Sequence, residues 1–95
     1  QLTPAIELAA FRVATEAVSN AARHSTGSRV DVAVDARGGA LVIRVVDDGT
    51  PPSRWREGIG LASLRDSVTE LRGHVEAGPA DHGWRVEATI PLAGS

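Results

Sequence analysis

A glycine pair set between two runs of branched residues restricts the fold more than any other feature of this chain. Val30, Val32 and Val34 alternate with Asp31, Ala33 and Asp35 over residues 29–36, the period-two signature of a half-buried strand. Gly38-Gly39 follows and suits a two-residue hairpin loop. Beyond it, Leu41, Val42, Ile43, Val45 and Val46 make the stretch 40–47 almost wholly apolar, as expected of a central strand. The run stops abruptly in Asp47-Asp48-Gly49. A hairpin of this kind commits the chain to antiparallel pairing, and its apolar face needs a second layer.

Two amphipathic stretches can supply that layer. Over residues 4–24, Ile6, Ala10, Val13, Ala17 and Ala21 recur at helical spacing, widened by Ala9, Ala14 and Val18. Thr3 fits the N-cap and Pro4 the first helical position, and Ser25-Thr26-Gly27-Ser28 ends the run. A second helix opens at Gly58-Ile59-Gly60 and carries Leu61, Leu64, Val68 and Leu71 on one stripe, with Gly73 as the expected C-terminal stop. Residues 74–77 read as a short strand, 78–83 as a hairpin-like turn, and Trp84, Val86, Ala88, Ile90 and Leu92 as the inward face of a last strand. Trp84 is in phase with Val86 and Ile90 and is expected in the core. The order helix, strand, strand, loop, helix, strand, strand predicts an α+β two-layer sandwich. Its sheet is expected to be mixed and mostly antiparallel, with both helices on one face.

The chain has 95 residues, enough for one core and no more. With 10 Lys+Arg against 12 Asp+Glu, it lacks the positive charge needed to hold nucleic acid by phosphate neutralisation. It has no cysteine, so disulfides, thiolate nucleophiles and Cys-ligated zinc are excluded. No run of ~18 apolar residues is present, so no membrane contact is expected of this stretch and a cytoplasmic setting is. Any membrane anchor would belong to other sequence. The start Gln1-Leu2-Thr3 carries neither Met nor a signal-peptide pattern, which leads us to expect a fragment of a longer protein.

Three groups of residues bear chemistry. On the first helix, Glu16, Asn20, Arg23 and His24 share one side. Asn offers an oxygen to magnesium, which binds through few protein groups and keeps several waters. Glu can orient or deprotonate a nucleophile, and Arg can meet phosphate. At the end of the inner strand, the Asp47 carboxylate can accept a hydrogen bond from an exocyclic amine such as that of adenine. Gly49 lets backbone approach a flat ring. Gly58-Ile59-Gly60-Leu61 leaves free N–H groups at a helix N-terminus, a ready anion site. Taken singly, these also fit a solvated helix face, an acidic turn and a hinge.

Together, in this order, they resemble the Bergerat ATP-binding fold of the GHKL superfamily. Glu16-x-x-x-Asn20-x-x-Arg23-His24 resembles its N box, Asp47-Asp48-Gly49 the start of its Asp-x-Gly-x-Gly box, and Gly58-Ile59-Gly60-Leu61 its second glycine box. Residues 11–17 and the stretch 64–68 before Gly73 look like bacterial two-component sensor histidine kinases with short lids, which pair with helix-turn-helix response regulators. The resemblance covers about residues 4–92. It implies that Asp47 takes the adenine amino group and Gly49 backs the ring. Asn20 would ligate Mg2+, and Glu16 would act beside the γ-phosphate as catalytic base or water-positioner. Arg23 and His24 would lie near the phosphates, with Gly58, Ile59, Gly60 and Leu61 cradling them and residues 50–57 forming the lid.

Three features depart from the family pattern. Pro51 stands where the box has its second Gly, Trp84 stands where the family often has a small Thr, and the lid is short.

The resemblance further implies a single catalytic domain over residues 1–95, lacking the family's N-terminal strand and the dimerisation and phosphoacceptor domain. It would present Mg-ATP for transfer to a His on that domain, and thence to a response regulator. The isolated stretch would bind nucleotide weakly and not autophosphorylate, since none of His24, His74 and His82 sits as an acceptor would. The alternatives are an anti-sigma-factor Ser kinase domain and an interaction module with an impaired nucleotide site.

Overall fold

A computed structural model of the chain describes residues 2–24, 29–49, 59–80 and 83–92, with the side chains of 20–24, 59–61 and 80 outside the description. The elements run α1 (Pro4–His24), β1 (Val30–Arg37), β2 (Ala40–Asp47), α2 (Ile59–Glu70), β3 (His74–Ala80) and β4 (Gly83–Pro91). Helix α1 begins as its sequence dictates. The Thr3 Oγ1 accepts from the Ile6 N–H at 3.2 Å, satisfying one of the donors a helix start leaves open.

The sheet order is β1-β2-β4-β3. All three pairings are antiparallel, so the sheet is antiparallel rather than mixed. The crossover through α2 does make β2 and β3 run in the same direction. However, β4 inserts between them and pairs with both, so no parallel ladder forms. The α+β sandwich with both helices on one face stands.

Leu41, Ile43 and Val45 of β2 and Val86, Ala88 and Ile90 of β4 project from the helix-facing side. They meet Ile6, Ala9, Val13 and Ala17 of α1 and Leu64 and Val68 of α2. Val42 and Val46, on the other face, are half-buried, in keeping with the apolar run that marks β2 as central. Ile43 is fully buried in this cluster. Ile43→Ala is expected to cost about 2–5 kcal/mol, from lost burial and the cavity left behind, with a lower urea midpoint at unchanged slope as the readout.

Three expectations need correction. Strand β1 is exposed at all eight positions, not half-buried. Val30, Val32 and Val34 pair with Asp47, Val45 and Ile43 and so face the helix layer, yet α1 lies over β2 and leaves this edge strand bare. Strand β3 runs through Gly78 and Pro79 to Ala80, leaving residues 81–82 between the strands rather than a turn over 78–83. Pro79 is tolerated because β3 is an edge strand, where a missing N–H breaks no outer ladder. Finally, the left-handed residue ending α2 is Arg72, at φ 65°, not Gly73. The Gly73 N–H reaches the Val68 carbonyl at 3.0 Å and the Arg72 N–H the Thr69 carbonyl at 2.9 Å, which together form a Schellman motif. Gly73 is needed for space: a Cβ there would stand 2.3 Å from the Thr89 carbonyl oxygen.

Side chains tie the layers together. The Arg12 guanidinium on α1 donates to Ser67 Oγ at 2.8 Å and Ser63 Oγ at 3.3 Å on α2. Arg65 on α2 donates to the Val75 carbonyl of β3. The outer sheet face carries the Arg44–Glu87 pair at 2.7 Å.

Candidate nucleotide site

Strand β2 carries Asp47 into the helix-facing layer at its C-terminal end, because Asp47 is in phase with Ile43 and Val45. The residue is 5% exposed, where a carboxylate needs polar partners. One of them is local: Asp47 Oδ1 accepts from the Gly49 N–H at 2.8 Å, folding the chain back over its own side chain. Asp48 does different work. Its Oδ1 accepts from the Arg29 N–H at 3.0 Å, and its own N–H reaches the Arg29 carbonyl at 3.2 Å. The two adjacent carboxylates thus separate into one turned inward and one anchoring the start of β1.

Four chain ends lie toward the Asp47 end of the sandwich. Helix α1 ends at His24, five positions before the Arg29 that Asp48 holds. Strand β4 starts at Gly83-Trp84, with Trp84 the register partner of Asp47. Gly73, just past the end of α2, lies against Thr89 and Ile90 at the far end of β4. From there the 12-residue α2 extends ~18 Å, so its N-terminus at Ile59 lies toward the Asp47 end. The helix pair agrees: Ala5, Leu8 and Ala9 of α1 line a groove with Glu70 and Leu71 at the close of α2. The helices are therefore antiparallel, and the end of α1 lies beside the start of α2.

Each residue singled out in the sequence can now be placed. Glu16 lies half-buried on α1, and Asn20, Arg23 and His24 follow on the last turns of the same helix. Asp47 and Gly49 are both buried at the close of β2. Ile59, Gly60 and Leu61 form the first turn of α2. The side chains of Asn20, Arg23, His24, Ile59 and Leu61 lie outside the described residues, as do Gly58, Pro51 and the lid.

Sequence reading missed Gly83. Its φ is 150°, and a Cβ on it would stand 1.8 Å from the Asp47 carbonyl oxygen. Only the β2–β4 register reveals that contact. Trp84 lies on the core face, as its phase suggested, but is half-buried against the core cluster rather than within it.

The donor set fits a purine nucleotide. An inward carboxylate fixed by a backbone N–H can accept from an amine, and a helix N-terminus across the same end can face phosphate. Among the described residues, no three His, Cys, Asp or Glu side chains group as a metal site. A magnesium ion, which takes most of its ligands from phosphate and water, would not need such a group.

Comparison with known proteins agrees with this geometry. Residues 5–94 match the family described as histidine kinase-, DNA gyrase B-, and HSP90-like ATPase. The chain belongs to that ATPase family. The Sensor protein VraS of Staphylococcus epidermidis is 32% identical over 87 residues, covering 86% of this chain and 25% of that protein. VraS of Staphylococcus aureus is 33% identical over the same shares. The chain thus spans about a quarter of these curated relatives. The histidine kinase domain of the Erythrobacter litoralis EL346 blue-light activated histidine kinase superposes with TM-score 0.72 at 25% identity, covering 86% of this chain and 42% of that one. Acinetobacter baumannii histidine kinase AdeS shares the fold at TM-score 0.72 and 18% identity, over 87% of this chain and 45% of that one. This member of the ATPase family is therefore an ATP-binding domain of the histidine-kinase kind. No helix among its described residues is long and apolar enough to cross a membrane.

Proposed function

We propose that this domain presents Mg-ATP to a histidine on a separate dimerisation domain, from which the phosphoryl group passes to a response regulator. The buried Asp47 carboxylate at the close of β2, on the face of the sheet that the antiparallel helices α1 and α2 cover, carries this reading. Phosphoryl transfer needs little covalent help from protein; positioning and charge stabilisation do most of it. Asp47 accepts the adenine amine, and Gly49 closes on the ring. The first turn of α2, with Gly58, Ile59, Gly60 and Leu61, holds phosphate through backbone N–H groups. Asn20 holds the divalent ion, which supplies charge neutralisation at the phosphates. Arg23 and His24 add positive or hydrogen-bonding character at the close of α1. Glu16, one turn before Asn20, takes or orients the proton of the incoming nucleophile.

The bare helix-facing side of β1, with Val32 48% and Val34 58% exposed, supports reading residues 1–95 as part of a larger domain. An adjoining strand and the acceptor domain would complete it.

In the full-length protein, Glu16→Gln is expected to hold Mg-ATP within about three-fold of the unaltered affinity while transfer to the acceptor His falls at least ~100-fold, the range of general acid–base contributions. Calorimetry and a single-turnover transfer assay separate the two effects. Undiminished transfer would remove Glu16 from its role.

A further inference from the structure

The β2–β4 register sets Trp84 directly opposite Asp47. Paired residues of antiparallel neighbours leave the sheet on the same face, with Cβ atoms about 4.5–5.5 Å apart. A large flat side chain therefore rises beside the inward carboxylate, where β2 closes and β4 begins. Further along the same face of β4, Val86, Ala88 and Ile90 are sealed at 2%, 0% and 0% exposure. Trp84 is only half-buried: part of the indole packs on the core cluster, and part stays accessible. Its flanks are a glycine without a side chain, Gly83, and the register partner Pro79 across β3.

We propose that Trp84 is a base-contacting residue, its indole lying against the purine whose amine Asp47 accepts. The inference rests on that reading of Asp47 and extends it. An aromatic surface attracts any base, because every base has a π-face, whereas a carboxylate selects for an amine. The two neighbours thus divide the work: Trp84 supplies affinity without regard to the base, and Asp47 supplies discrimination.

The division can be read in the full-length protein with ATP, GTP and adenosine. Trp84→Ala weakens all three by a similar factor of about ten, within the range of base–aromatic stacking, and leaves the ATP:GTP ratio unchanged. Trp84→Phe retains most of the affinity, because a smaller ring still offers a flat face to the base. ATP affinity within two-fold of normal in Trp84→Ala would overturn the proposal. So would tighter binding in that variant, or a loss in Trp84→Phe as large as that in Trp84→Ala. Should Trp84→Ala not fold, Trp84→Leu, which keeps apolar bulk without a flat ring, takes its place and is expected to lose the same factor. If the unaltered protein binds no ATP by calorimetry, the Asp47 reading falls, and this inference with it. ATP binding that depends on Asp47 but not on Trp84 sinks the inference alone.

Discussion

Gly83→Ala is expected to cost this domain about 4 kcal/mol or more, at the exceptional end for a single methyl group. The glycine sits at φ 150°, a conformation that L side chains rarely adopt. The added carbon would fall 1.8 Å from the Asp47 carbonyl oxygen, 2.9 Å from its carbonyl carbon and 3.0 Å from the Asp48 Cα. None of these is the end of a flexible side chain, so the first residues of β4 must pull away from the end of β2. That opens the Asp47–Trp84 pair and the core beneath it. For a domain of this size the midpoint of thermal unfolding should fall by at least ~15 °C. A melting curve followed by circular dichroism reads it directly. A shift under ~3 °C would mean that the close approach of the two strands is wrong.

Asp47→Asn should act almost wholly on binding. Asparagine keeps a carbonyl oxygen to accept from the Gly49 N–H, the 2.8 Å contact that shapes the turn, so the fold should survive with little loss. The other end of the amide now presents a donor. In the proposed site, a charge-assisted bond to the adenine amine, worth roughly 1.5–3 kcal/mol, would be replaced by two donors facing each other. ATP affinity should drop on the order of 100-fold at ~1.4 kcal/mol per decade. GTP, which offers a carbonyl at that position, should lose far less, so the preference between the two narrows. Calorimetric titration with both nucleotides tests this in the full-length protein. An unchanged ATP:GTP ratio would place the base elsewhere.

These effects rest on features that sequence exposes to different degrees. Helix α1 was readable to the residue, because Thr3 and Pro4 give a start and the 3.6-residue apolar period runs unbroken to His24. The hairpin was equally plain: both Gly38 and Gly39 take positive φ, at 59° and 78°, which few other residues tolerate. Glu16, Asp47 and Gly49 could be singled out because their types and spacing suit one chemistry. The end of β3 was not readable, since Gly78 and Pro79 ordinarily signal a turn. They remain in a strand only because β4 pairs along their full length on one side and nothing is required on the other.

Local order along the chain determined the elements, their phase and the identity of the inward carboxylate. These depend on neighbours within a few positions, where backbone propensity and apolar periodicity act. Tertiary structure alone decided that β1 lies bare, that Gly83 presses on Asp47 and that Trp84 stands beside it. Each depends on which strands become neighbours and in what register, a choice made by the packing of the whole core and carried by no single segment.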